Sequence, residues 1–183
     1  MKITISGIAG SGKSTAAKSL SKKLKLKHYS TGNLMRSIAK KRKVSLLKLS
    51  KIAEKDNTID KELDDRQRKL GIEQDDFVID GRLSALFIPK ADFKIYLDCG
   101  DETRAKRILK DGRAGEKSKN VNEMIKKINE REKSERKRYK KYYDYDYQNK
   151  TNYNLAIDTT NMTVEEMVQE ILDFLIEEAP KHL

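Results

Sequence analysis

The chain has 183 residues, with 40 Lys and Arg against 29 Asp and Glu, a formal net charge of +11, and 38% charged against 37% hydrophobic content. That length suits one compact domain spanning 1–183 with a densely charged surface, and no apolar run is long enough to cross a bilayer. The lone cysteine, Cys99, has no internal disulfide partner, which suits a reducing compartment, and the first strand starts too early to leave room for a leader peptide, so a soluble, cytoplasmic protein is expected.

Lys2 to Ser6 is short, β-branched and runs straight into glycines, which predicts a strand. Gly7, Ile8, Ala9, Gly10, Ser11, Gly12, Lys13 and Ser14, followed by Thr15, fit the phosphate-binding P-loop pattern Gly-x-x-x-x-Gly-Lys-[Ser/Thr]. Lys13 to Leu24 reads as the helix that the pattern needs behind it. The glycines let backbone N–H groups close on phosphate oxygens, and the helix start adds its own N–H groups and positive dipole end. Lys13 is expected to reach the β- and γ-phosphates of a nucleotide, and the Ser14 hydroxyl to ligate Mg²⁺.

Leu26 to Ser30 predicts a second strand. Ser30 or Thr31 can cap a following helix with Leu34, Met35, Ile38 and Ala39 on its apolar side. Arg36 sits in the first turns of that helix, where the dipole does not favour a cation. A bound anion nearby accounts for it, and so does an ordinary surface arginine. Ser45 to Lys55 and Ile59 to Leu70 are short amphipathic helices, so residues 37–71 read as a small helical insertion. It carries Asp64, Asp65, Arg66 and Gln67, which are able to hydrogen-bond a base or ribose, or simply to face solvent.

Phe77 to Ile79 is a buried-type strand ending in Asp80-Gly81-Arg82. A carboxylate at the C-terminal end of a parallel strand, beside a P-loop strand, is where a Mg²⁺-associated group belongs. Phe93 to Leu97 predicts a fourth strand, and Asp101 to Lys110 a helix. Residues 110–120 contain two glycines and many charges and read as a mobile loop, either a linker or a lid over phosphates. Val121 to about Tyr143 predicts a long helix. Its face Met124, Ile128, Arg131, Glu135, Arg138, Tyr142 begins apolar and turns charged, which points to a cleft-facing polar site. The tyrosines at 142, 143, 145, 147 and 153 are expected to pack rather than to stack on bases. Leu155 to Ile157 is a fifth strand, and Thr163 to Glu178 a final helix opened by the capping box Thr163-Val164-Glu165-Glu166.

Strands alternating with helices imply an α/β fold with a doubly wound, five-stranded parallel sheet and its ligand at the strand C-termini. The P-loop, Ser30-Thr31-Gly32 with Arg36, Asp80-Gly81-Arg82, a lid with arginine and a late Arg-x-x-x-acid-x-x-Arg helix together resemble the nucleoside monophosphate kinases. More narrowly they resemble the archaeal type of cytidylate kinase, over essentially the whole chain. The resemblance implies transfer of the ATP γ-phosphoryl group to CMP or dCMP. It implies that Arg36, Arg82, Arg131 and Arg138 hold the acceptor phosphate and that Glu135 faces the sugar. Residues 37–71 would bind the acceptor, Asp64, Arg66 and Gln67 among them. Arg107 would lie near ATP, and Arg113 in the lid would neutralise transferring charge. One departure from the pattern is Asp111, where an arginine one turn after Arg107 is common. A monomer acting on small nucleotides, without membrane or obligatory nucleic acid, is expected. The alternatives are an adenylate kinase-like phosphotransferase, although Arg82 follows Gly81 directly without Phe-Pro, and a nucleic-acid-binding P-loop ATPase.

Overall fold

The computed structural model describes residues 1–112 and 118–178. Strands β1 (Lys2–Gly7), β2 (Lys27–Ser30), β3 (Phe77–Asp80), β4 (Phe93–Asp98) and β5 (Leu155–Asp158) form one sheet. Its order is β2-β3-β1-β4-β5 and every pairing is parallel. A parallel sheet needs crossover connections, and the helices that make them cover both faces. Ile3, Thr4 and Ile5 of β1 are wholly buried, as a central strand requires. On one face α1 (Lys13–Lys23) and α8 (Val164–Glu178) pack Ala16, Ala17, Leu20, Ile171 and Leu175 against Ile3, Ile5, Val78 and Ile95. On the other, Tyr139 and Tyr147 fill a cluster with Ile8, Leu83, Phe87 and Tyr96. Both are core, Tyr147 as expected from the sequence.

Between β2 and β3 the chain makes α2 (Thr31–Lys41), α3 (Leu46–Ala53) and α4 (Thr58–Glu73). Side-chain caps set the first two: Ser30 Oγ accepts from Asn33 N at 3.3 Å, and Ser45 Oγ from Lys48 N at 3.1 Å. These helices hold an apolar cluster of their own, built on Met35, Ala39, Leu46, Leu49, Ala53, Ile59 and Leu63. Their join to the long helix α7 (Val121–Tyr143) is polar. Arg138 Nε lies 2.9 Å from Asp60 Oδ2, and its Nη1 donates to the Ser50 carbonyl and hydroxyl, each at 2.8 Å. Ser134 donates to Glu54 at 2.7 Å, and the Tyr142 hydroxyl donates to the carbonyls of Ala53 and Glu54 at 3.2 Å.

The remaining helices are α5 (Ser84–Phe87) and α6 (Asp101–Lys110). The single turn of α5 is too short to leave a periodic pattern in the sequence. The capping box of α8 is formed in both directions: Thr163 Oγ1 accepts from Glu166 N at 3.2 Å, and Glu166 Oε2 accepts from Thr163 N at 2.8 Å. Among the described residues, no helix is long and apolar enough to cross a membrane.

Candidate functional site

The C-terminal ends of β1, β2 and β3 open on one cleft. β1 delivers the P-loop. Gly12 caps α1 with φ of 90°, a left-handed backbone with no side chain to fill the cap, and the first turn of α1 has no acidic residue. The helix therefore presents its N–H groups and positive end to the cleft without an internal anion. Lys13 is buried, and its ammonium donates to the Ile8 carbonyl within the loop.

β3 delivers Asp80, which is 2% exposed. Its Oδ2 accepts from Ser14 Oγ at 2.7 Å and from Ser30 Oγ at 3.0 Å, and His28 Nε2 lies 2.7 Å from Oδ1. Burial works against ionisation of Asp80, but the hydrogen bonds from His28 and Ser14, and then from Ser30, outweigh it and hold the carboxyl below its usual range. The register explains the arrangement. Ser30 pairs with Asp80 across β2 and β3, and His28, two residues earlier, shares its face of the strand.

Arg82 and Arg131 converge on Glu135. Arg82 Nε donates to Glu135 Oε2 and Arg131 Nε to Oε1, both at 2.9 Å. Arg82 Nη1 also donates to the Gly7 carbonyl at 3.0 Å, which ties it to the base of the P-loop. Glu135 is 2% exposed. Burial opposes its charge, yet Arg82, Arg131 and Arg138 hold its carboxyl at about 2. A buried carboxylate between two guanidiniums fixes both in place, and the rest of the cleft keeps them at its wall. Together the lining includes Lys13, Ser14, Arg36, Asp80, Arg82 and Arg131. It also includes Asp60, Leu63, Asp64 and Gln67 of α4, with Leu83 and Tyr139.

Behind the P-loop, Arg104 is 3% exposed and bonds Asp101, Asn129 and Glu132. Glu132 Oε1 in turn accepts from Ala9 N at 3.4 Å. Helices α6 and α7 thus brace the loop from outside.

A model of the cytidylate kinase-like family matches residues 2–161. The chain belongs to the cytidylate kinase-like family. The cytidylate kinase of Natronomonas pharaonis is 40% identical over 164 residues, 89% of this chain and 83% of its own. That of Sulfolobus acidocaldarius is 39% identical over 173 residues, 94% and 92% of the two chains. That of Methanosphaera stadtmanae is 37% identical over 171 residues, 93% and 95%. Among solved structures, a shikimate kinase from Aquifex aeolicus superposes with a TM-score of 0.59 at 21% identity, covering 98% of each chain. An uncharacterized protein from Eubacterium ventriosum gives 0.69 at 18% identity, covering 96% of this chain and 98% of its own. At these identities the two structures speak for the fold alone, a five-stranded parallel sheet with flanking helices.

In this cytidylate kinase-like chain the predicted site residues divide into three groups. Gly10, Lys13, Ser14, Arg36, Asp64, Gln67, Asp80, Arg82, Arg131 and Glu135 come together at the cleft. Three expectations differ from the geometry. Arg138, expected to hold the acceptor phosphate, is 1% exposed and lies off the lining, taken up by Asp60 and Ser50 in the seam. Glu135, expected to face a sugar, has each oxygen bound by an arginine. Arg66 is exposed, paired with Glu62 at 2.9 Å, and stands on the outer side of α4. A third group lies beside the cleft or beyond it. Arg107 Nη1 donates to Thr159 Oγ1 at 3.0 Å, and Thr159 Oγ1 lies 3.0 Å from the Ser11 carbonyl, so Arg107 reaches the P-loop through one hydroxyl. Arg113 lies outside the described residues.

Asp60, His28, Tyr139, Ser84 and Glu132 were not legible as site residues. For His28 a signal did exist, its two-residue spacing from Ser30 on a strand. Asp60 gains its place from the fold of α4 against α7, which no local pattern encodes.

Proposed function

We propose that the protein transfers the γ-phosphoryl group of ATP to CMP or dCMP, giving the nucleoside diphosphate. One observation carries the reading: an anion-ready P-loop and the Arg82–Glu135–Arg131 cluster line one cleft. A donor phosphate chain suits the first, and an acceptor phosphate suits the second, with Arg36 beside it. The relatives named cytidylate kinase supply the base.

The acceptor is already an anion, so the reaction asks for positioning and charge neutralisation rather than a strong base. The loop N–H groups and Lys13 bind and orient the donor phosphates. Glu135 orients Arg82 and Arg131 toward the acceptor. Closure of the insertion 37–71 over the cleft would exclude water. Ser14 and Asp80 are adjacent hard oxygen donors, which fit Mg²⁺. Among the described residues no group of three or more His, Cys, Asp or Glu could hold a metal ion, and Mg²⁺ that arrives with phosphates needs only one or two protein ligands. When bound, Mg²⁺ supplies charge neutralisation at the transferring phosphates.

The reading takes a monomer, and free nucleotide substrates support a cytoplasmic site of action. Coupled ADP release tests the reading with CMP, dCMP, UMP, AMP and GMP as acceptors. CMP or dCMP should give the highest kcat/KM. Preference for AMP would support an adenylate kinase-like enzyme. Absence of stimulation by any monophosphate, with tight and steeply salt-dependent RNA or DNA binding, would make it a nucleic-acid-binding ATPase.

A further inference from the structure

The cleft is chemically asymmetric. Lys13, Arg36, Arg82 and Arg131 suit phosphates, and the remaining wall is Leu63, Asp64 and Gln67 with Leu83 and Tyr139. Asp64 and Gln67 are three residues apart, so they share one face of α4. They are 7% and 4% exposed, and phosphate chemistry has no use for either.

Each has one atom committed to a partner on another helix. The Tyr143 hydroxyl of α7 donates to Asp64 Oδ2. The Ser84 hydroxyl of α5 donates to Gln67 Oε1 at 2.8 Å. With its oxygen engaged, the Gln67 amide keeps its nitrogen as the working atom. One of its two N–H groups goes to the Leu63 carbonyl at 3.3 Å, which leaves the second as a donor. An ionised Asp64 offers only acceptors. The wall therefore presents an acceptor beside a donor, in fixed polarity.

We propose that Asp64 and Gln67 read the pairing edge of the acceptor base, Asp64 accepting from an exocyclic amino group and Gln67 Nε2 donating to the adjacent ring nitrogen. The inference rests on phosphoryl transfer to a cytidine nucleotide. Cytosine carries its N4 amino donor next to the N3 acceptor and matches both positions. Uracil carries O4 and N3–H, which reverses both, so acceptor meets acceptor and donor meets donor. A buried mismatch of this kind leaves groups unpaired and is far costlier than a lost contact. Adenine has the same order as cytosine, so the pair separates amino bases from oxo bases, and ring size is set by the rest of the cleft. Ser84 and Tyr143 are positioning residues that hold the polarity.

Protonation would change the code. Burial pushes the Asp64 carboxyl up to about 7, against the Tyr143 hydrogen bond, with Asp60, Asp65 and Arg68 of α4 the other charged groups acting on it. Once protonated, Asp64 gains a hydroxyl able to donate to uracil O4. Discrimination between CMP and UMP should therefore rise from pH 6 to pH 8. The two nucleotides carry the same phosphate, so its titration cancels in their ratio.

The test is the ratio of kcat/KM for CMP over UMP at pH 6, 7 and 8. It is measured for the wild type, Asp64→Asn, Gln67→Glu and Ser84→Ala, with thermal melts to confirm folding. Asp64→Asn and Gln67→Glu should each lower the ratio about tenfold or more at pH 8, and Asp64→Asn should flatten its pH dependence. Ser84→Ala should lower the ratio severalfold, with the loss for CMP falling mainly in KM, because the amide is then free to turn over. Ratios within about twofold of the wild type in Asp64→Asn and Gln67→Glu overturn the inference. If one of these variants fails to fold, the other decides. A wild type that phosphorylates CMP while its variants keep their ratios sinks only the base-reading pair. A wild type that does not phosphorylate CMP sinks the functional reading with it.

Discussion

Replacing Glu135 with Gln removes the charge that holds Arg82 and Arg131. The side chain is 2% exposed and each carboxylate oxygen takes an Nε–H at 2.9 Å. An amide of the same shape keeps one acceptor and turns a donor toward the second guanidinium. The fall of the Glu135 carboxyl from 4.5 to about 2 corresponds to roughly 3 kcal/mol of stabilisation at neutral pH. That figure agrees with the cost of about 3–5 kcal/mol for breaking a buried pair from one side. The sign follows from a depressed carboxylate. The stabilisation is complete above the unfolded value near 4.5 and is lost as pH falls toward the folded value near 2. Urea unfolding of wild type and Glu135→Gln should differ by roughly 3 kcal/mol at pH 7 and by about 2 kcal/mol at pH 3.5. In parallel, kcat/KM for the acceptor should fall about tenfold or more, since both arginines lose their orientation. Equal stabilities at pH 7 would refute the electrostatic account of this cluster. Unchanged kcat/KM would remove the arginines' orientation from catalysis.

Arg82→Ala should cut kcat/KM by about a hundredfold or more in the coupled assay, with a cooperative melt retained because Arg131 still neutralises Glu135. Near-wild-type turnover would take Arg82 out of the site. Gly81→Ala puts a Cβ into the hydroxyls of Thr31 and Ser84, close to their contacts with Asp80 and Gln67. It should lower stability by about 1–3 kcal/mol, read as a drop in Tm, and an unchanged Tm would mean that the strand exit is looser than described.

Most of the fold could be read from local pattern. β1 and the P-loop announce themselves through the β-branched run at Ile3 to Ile5 and the glycines after it. The caps read at Ser30 and Thr163 mark helix starts that the structure forms. The stripe of α7 pointed to a polar face, and Arg131 and Glu135 reach the cleft from it. What the stripe could not tell was how its charges are shared. Arg138 lies one turn from Glu135 on the same face, yet Asp60 and Ser50 claim it, and those partners come from more than 70 residues away. The same holds for Arg66. Its spacing from Gln67 looked like one continuous recognition segment, but neighbouring residues on a helix point about 100° apart, so one meets the cleft and the other meets solvent. Helical periodicity gives the face, and tertiary contacts decide the role.

The seam between α7 and the inserted helices has a thermodynamic consequence. Its contacts are guanidinium, carboxylate, hydroxyl and carbonyl, while most of the hydrocarbon of α2 to α4 lies in their own cluster and Leu70 of α4 packs on Phe77, Ile79 and Ile88, away from the seam. Sliding or opening the insertion there would hydrate polar groups and bare little apolar surface. Heat capacity rises with apolar exposure and falls with polar exposure. Movement at this joint should thus carry a heat-capacity change near zero or below it. The ease of that movement would vary with ionic strength more than with the temperature dependence that governs the central core.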